Sequence, residues 1–77
     1  MENLKFYYME QCPFCKKVMS YMRRNDINVE MVDINADPKN KEELERIGGK
    51  VQVPMLLIDE EPLYESDDII SWFKENK

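Results

Sequence analysis

Two cysteines, Cys12 and Cys15, are the whole thiol complement of this 77-residue chain, and they stand together in Cys12-Pro13-Phe14-Cys15. The preceding run, Leu4-Lys5-Phe6-Tyr7-Tyr8, reads as a short buried strand, and the following run reads as a helix. A thiol pair at a strand-to-helix turn, with no other cysteine to bond to, can close a disulfide and open it again. In a small chain that spacing is the mark of redox work.

The start of the helix explains why. Pro13 suits the first helical position, where its missing N–H is no loss. The free first-turn N–H groups and the positive end of the helix dipole then face Cys12 and favour a thiolate, the attacking species. Cys15 lies one turn further along, towards the core. Cys12 is therefore expected to attack, and Cys15 to resolve a mixed disulfide or close the internal one.

Other uses of the pair are weaker. A structural disulfide closing so small a loop would contribute about 2 kcal/mol at most before strain. A zinc site needs four ligands, and the chain offers two cysteines and no histidine, so only a dimer could build one. No metal is expected in the site.

The charge balance narrows the partners. Sixteen acids against eleven bases give a net charge of −5. That argues against nucleic acid, which needs a basic footprint, and against an anionic membrane surface. No apolar stretch reaches the length of a membrane span. The N-terminus lacks the basic start and apolar run of a signal peptide. A monomeric, cytoplasmic, single-domain protein over residues 1–77 is expected.

Strand and helix signals alternate along the chain. After the first strand, a helix runs from Pro13 to Asn25 with Cys15, Val18, Met19 and Met22 on one face. A second strand spans Val29–Ile34. Asp37-Pro38 opens a second helix with Leu44 and Ile47 inward, and Gly48-Gly49 ends it. Met55-Leu56-Leu57-Ile58 is a continuous apolar run, as in a strand buried on both faces. Pro62-Leu63-Tyr64 makes a short fourth strand after a turn. Ser66 caps the last helix, with Asp67 and Asp68 in its first turn and Ile69, Ile70 and Phe73 inward. The order β-α-β-α-β-β-α, with a right-handed parallel crossover first and a hairpin later, gives an α/β fold. It is a four-stranded mixed sheet with helices on both faces.

Three segments make the chain resemble the glutaredoxins, members of the thioredoxin-fold superfamily. Cys12-Pro13-Phe14-Cys15 resembles the family's Cys-Pro-Tyr-Cys. Val51-Gln52-Val53-Pro54 resembles its Thr-Val-Pro, whose proline is cis. Ser66-Asp67 resembles the pair that holds the γ-glutamyl end of glutathione. Glu65-Ser66 also resembles the Glu-Ser of glutathione transferase N-terminal domains. The resemblance implies a thioredoxin-like fold and a dithiol oxidoreductase that reduces protein disulfides or glutathione mixed disulfides. Glutathione or another small thiol would be the co-substrate, with no tightly bound cofactor. Gln52, Val53 and Pro54 would line the glutathione site, with the backbone N–H and C=O of Val53 pairing with the cysteine part of glutathione, as a strand would. Asp67 would take its α-amino group, and Ser66 with the helix N–H groups its α-carboxylate. Read by residue chemistry alone, serine followed by two acids is helix capping.

The chain also departs from the family pattern. Met9 stands where the family has a lysine, three positions before the first cysteine. Tyr64-Glu65 replaces a glycine pair, Phe14 a tyrosine and Gln52 a threonine. Weakened glutathione binding is expected, with Lys16, Lys17 and Lys50 as local compensation. Two alternatives stay open: a redoxin recharged by a flavoprotein reductase, and a dimeric iron–sulfur or zinc carrier bridged by Cys12 thiolates. Pro13 weighs against the carrier.

Overall fold

β1 (Leu4–Tyr8) sets the architecture, because Phe6 and Tyr7 point to opposite faces and both are fully buried. A strand buried on both faces needs cover on both. The computed structural model describes residues 3–77. α1 (Pro13–Arg24) and α3 (Ser66–Asn76) cover one face. There Phe6 packs with Val18, Met22, Leu56, Ile69 and Phe73. α2 (Pro38–Gly48) covers the other, where Tyr7 packs with Ile34, Leu44, Met55 and Leu57. Among the described residues no helix is long and apolar enough to cross a membrane.

The sheet is completed by β2 (Glu30–Asp33), β3 (Met55–Ile58) and β4 (Glu61–Tyr64), in the order β2-β1-β3-β4. β1 and β2 run parallel, whereas β1–β3 and β3–β4 are antiparallel. The expected fold and element order are therefore observed: a thioredoxin-like four-stranded mixed sheet with helices on both faces. The apolar run of β3 lies inside the sheet, as its composition demands. The short, charged β2 and β4 form the edges.

Boundaries differ locally for physical reasons. α1 stops at Arg24, because Asn25 leaves helical geometry and its side chain donates to the Tyr21 carbonyl. β2 is shorter than the expected Val29–Ile34. Ile34 leaves the ladder, although its N–H still donates to the Tyr8 carbonyl. α2 begins as expected, with the Asp37 carboxylate accepting from the Lys39 N–H at 2.9 Å. It ends at Gly49, whose φ of 78° is the left-handed turn that glycine tolerates. The cap of α3 is Glu65, not Ser66, with φ 70° and ψ 122°. Ser66 is the first helical residue and is buried.

Register gathers three distant segments. Tyr7 pairs with Met55, and Met55 pairs with Tyr64. The loop leaving β1, the segment entering β3 and the segment leaving β4 therefore meet at one end of the sheet. These are the loop with Cys12, the Val53-Pro54 step and the Glu65-Ser66-Asp67 turn.

Candidate active site

Cys12 is the N-cap of α1, with φ −80° and ψ 117°, and Pro13 follows at the first helical position. The Cys12 N–H donates to the Met9 carbonyl at 3.2 Å, and the Cys12 carbonyl accepts from the Lys16 N–H at 3.0 Å. No acid occupies the first turn of α1, so nothing there offsets the positive end of its dipole. Both thiols are free: Cys12 is half-buried and Cys15 fully buried. The unequal exposure expected of the pair is thus observed. Burial pushes the Cys15 thiol up to about 12, and its hydrogen bond with Cys12 acts in the same direction. A backbone hydrogen bond with Met9 opposes the rise.

Val53-Pro54 is a cis peptide bond, as the resemblance implied. Gln52 and Val53 lie between two clefts. One cleft holds Cys12 and Met9 with Lys41 and Val51. The other is lined by Phe14, Lys17 and Pro54 with Glu65, Ser66 and Asp67. Phe14 is 63% exposed, an aromatic wall open to water beside the thiol pair. An extended ligand crossing Val53 would reach both clefts. The site residues read from the sequence are therefore brought together at one end of the sheet. Among the described residues no group of three or more His, Cys, Asp or Glu side chains is arranged to hold a metal ion.

Of the three lysines expected near the site, Lys17 lines the second cleft, and Lys16 and Lys50 lie elsewhere. Lys17 pairs with the Asp67 carboxylate at 2.5 Å, so one end of the second cleft already carries opposite charges side by side. Lys50 instead lies over the Tyr64 ring, 4.4 Å from its centroid. Lys16 lines a separate groove on the flank of α1. The cation beside Met9 and Cys12 is Lys41, which sequence reasoning missed. Its signal was present: Lys41 stands three residues before the inward Leu44 and so shares that side of α2. Gln52 reaches the Glu65 carboxylate at 3.4 Å, so its amide is partly engaged within the cleft.

The chain is similar to known proteins over most of its length. Residues 4–63 match the model of the glutaredoxin family. Glutaredoxin 3 of Escherichia coli is 25% identical over 69 residues, covering 90% of this chain and 83% of that protein. A thioredoxin-like protein of known crystal structure superposes with a TM-score of 0.79 at 20% identity, covering 95% of this chain and 97% of the other. Glutaredoxin 2 of Salmonella typhimurium, solved in complex with glutathione, is 31% identical with a TM-score of 0.79. That match covers 95% of this chain and 33% of the Salmonella protein.

Proposed function

The chain belongs to the glutaredoxin family, and from that premise we propose that it is a dithiol thiol–disulfide oxidoreductase using glutathione as co-substrate. The observation that carries this reading is the asymmetry of the pair. Cys12 is half-buried at a helix N-terminus, and Cys15 is buried one turn behind it. In this reading the Cys12 thiolate attacks a substrate disulfide, forming a mixed disulfide and releasing one thiolate. Cys15 then attacks Cys12, closing the internal disulfide, and its proton goes to the second leaving thiolate. Two glutathione molecules reopen the pair and leave as glutathione disulfide. Val53 and Gln52 bind the cysteine part of glutathione, Ser66 and Asp67 bind its γ-glutamyl end, and Phe14 flanks it.

A coupled assay with glutathione and glutathione reductase tests the proposal, set beside thioredoxin reductase as the alternative electron source. Turnover with glutathione is expected. Cys12→Ser abolishes every disulfide reduction. Cys15→Ser blocks protein-disulfide reduction and traps the mixed disulfide, but spares deglutathionylation. Trapping by the Cys12 variant instead would reverse the roles. Met9 in place of a cation favours one second reading, recharging by a flavoprotein reductase. Turnover with that enzyme alone would select it.

A further inference from the structure

α1 carries Lys16, Lys17, Arg23 and Arg24 and no acid. A helix of +4 leaves −9 on the rest of a chain whose net charge is −5. Lys17 is paired with Asp67 on the α3 side, and Lys16 and Arg23 make the other side of α1 a positive flank. On that flank, between α1 and the edge strand β2, lies an open groove. Its floor is apolar, formed by Met19, Ile27, Val29 and Met31, and its rim on the helix side carries Lys16 and Arg23. Met31 pairs with Phe6 in the ladder and so faces α1, while Glu30 turns to the opposite face, where Lys5 lies 4.0 Å away. The acid lining the groove is Asp26, at the end remote from Cys12. Met31 is 43% exposed. Phe14 and Val51, also exposed, flank the thiol pair, so among the described residues Met31 is the exposed large apolar side chain that the active site does not account for. Two methionines make the floor adaptable to different side chains.

We propose that this groove docks an acidic, apolar-anchored segment of the disulfide-bearing protein substrate, a partner class that rests on the dithiol reading above. Lys16 is one helical turn beyond Cys12, and Arg23 is about 16 Å along the helix from it. About five extended residues on one side of the substrate cysteine span that distance. Their acids meet Lys16 and Arg23, their apolar side chains enter between Met19 and Met31, and the cysteine stays at Cys12. Electrostatic steering then favours encounter with acidic partners despite the acidity of the whole chain.

The test uses short synthetic peptides whose single cysteine is held as a mixed disulfide with thionitrobenzoate. Attack by Cys12 forms the protein–peptide disulfide and releases coloured thionitrobenzoate. Cys15 then closes the internal disulfide and frees the peptide thiol. Peptides carry a five-residue tail, Glu-Leu-Glu-Leu-Glu, Ser-Leu-Ser-Leu-Ser or Lys-Leu-Lys-Leu-Lys, on either side of the cysteine. Single-turnover rates are measured at low and high salt. The acidic tail is expected to react at least tenfold faster than the serine tail at low salt, and the advantage should shrink at high salt. Arg23→Glu should remove it with the serine-tail rate unchanged, whereas Met31→Ser should slow the acidic and serine tails alike, since both carry the leucines that enter the groove. Equal rates for all tails, an advantage for the lysine tail, or an acidic-tail advantage that survives Arg23→Glu would overturn the docking proposal alone. A concentration-dependent dimer abolished by Arg23→Glu would also overturn it, assigning the groove to a second copy. No release from any peptide would overturn the dithiol reading, and this proposal with it.

Discussion

The ammonium of Lys17, on the second turn of α1, meets the carboxylate of Asp67, in the first turn of α3, across fifty residues of sequence. Both side chains are largely exposed, so the pair contributes little to stability, about 1 kcal/mol or less. Its geometry suits a zwitterion. The α-ammonium of a γ-glutamyl group would take Asp67 while its α-carboxylate takes Lys17 and the α3 N–H groups, each charge exchanging partners without being stranded. Lys17→Met is therefore expected to raise KM for glutathione about fivefold, and Asp67→Asn similarly. The single-turnover rate of Cys12 with a disulfide lacking a γ-glutamyl group should stay unchanged. A KM that falls in Lys17→Met would show that Lys17 competes for Asp67.

Lys41 supplies the cation that Met9 does not. Both line the cleft beside Cys12. A charge-assisted hydrogen bond to the glycine carboxylate of glutathione is worth about 1.5–3 kcal/mol, which screening at an exposed site reduces. Lys41→Ala should raise KM for glutathione several-fold, and adding Met9→Lys should restore it. If Met9→Lys improves the parent protein tenfold while Lys41→Ala changes nothing, Lys41 does not reach the carboxylate.

Much of this was legible in the sequence because it is local. The apolar run of β3, the Asp37-Pro38 helix start, the Gly49 stop and the Cys12–Cys15 turn each depend on a few neighbouring residues. The Lys17–Asp67 pair was not legible, since the packing of α1 against α3 creates it. Nor was the cap of α3. Ser66 has the right chemistry for a cap, but the hairpin exit places Glu65 there at positive φ. The place of Lys50 was not legible for a similar reason: the Tyr64 ring beneath it is fixed by β4, not by its own loop. The groove on α1 needed the ladder register, which alone says that Met31 and not Glu30 faces the helix.

The buried Cys15 thiol gives the fold an alkaline weakness. An ordinary thiol titrates near 9, and burial pushes Cys15 up to about 12. Between these values the unfolded chain has released a proton that the folded protein still holds, so stability is full below pH 9 and falls as pH rises towards 12. Burial also raises Tyr7, Tyr8 and Tyr64, adding losses of the same sign starting near 10. Denaturant unfolding of the reduced protein under argon should show the decline. Cys15→Ala should remove the part that begins near pH 9 and leave the part above 10. An unchanged profile in that variant would place the loss on the tyrosines alone.

Glu65 holds a glycine's place with a glutamate's charge. Its φ of 70° is a conformation that L side chains adopt at a cost of about 1–3 kcal/mol. Its carboxylate stands in the cleft with Asp67 and within 3.4 Å of the Gln52 amide. Glycine would relieve the backbone, partly offset by about 0.4–1 kcal/mol of added unfolded-state freedom. Glu65→Gly should therefore raise Tm by a few degrees, since about 1 kcal/mol moves a domain of this size by 4–8 °C. It should also lower KM for glutathione by removing an anion near the bound γ-glutamyl carboxylate and releasing Gln52. Glu65→Gln separates the two effects: it keeps the strained φ and removes the charge, so KM should fall with no gain in Tm. A Tm that rises equally in both variants would assign the benefit to charge. A KM unmoved in both would place the Glu65 carboxylate out of reach of the ligand.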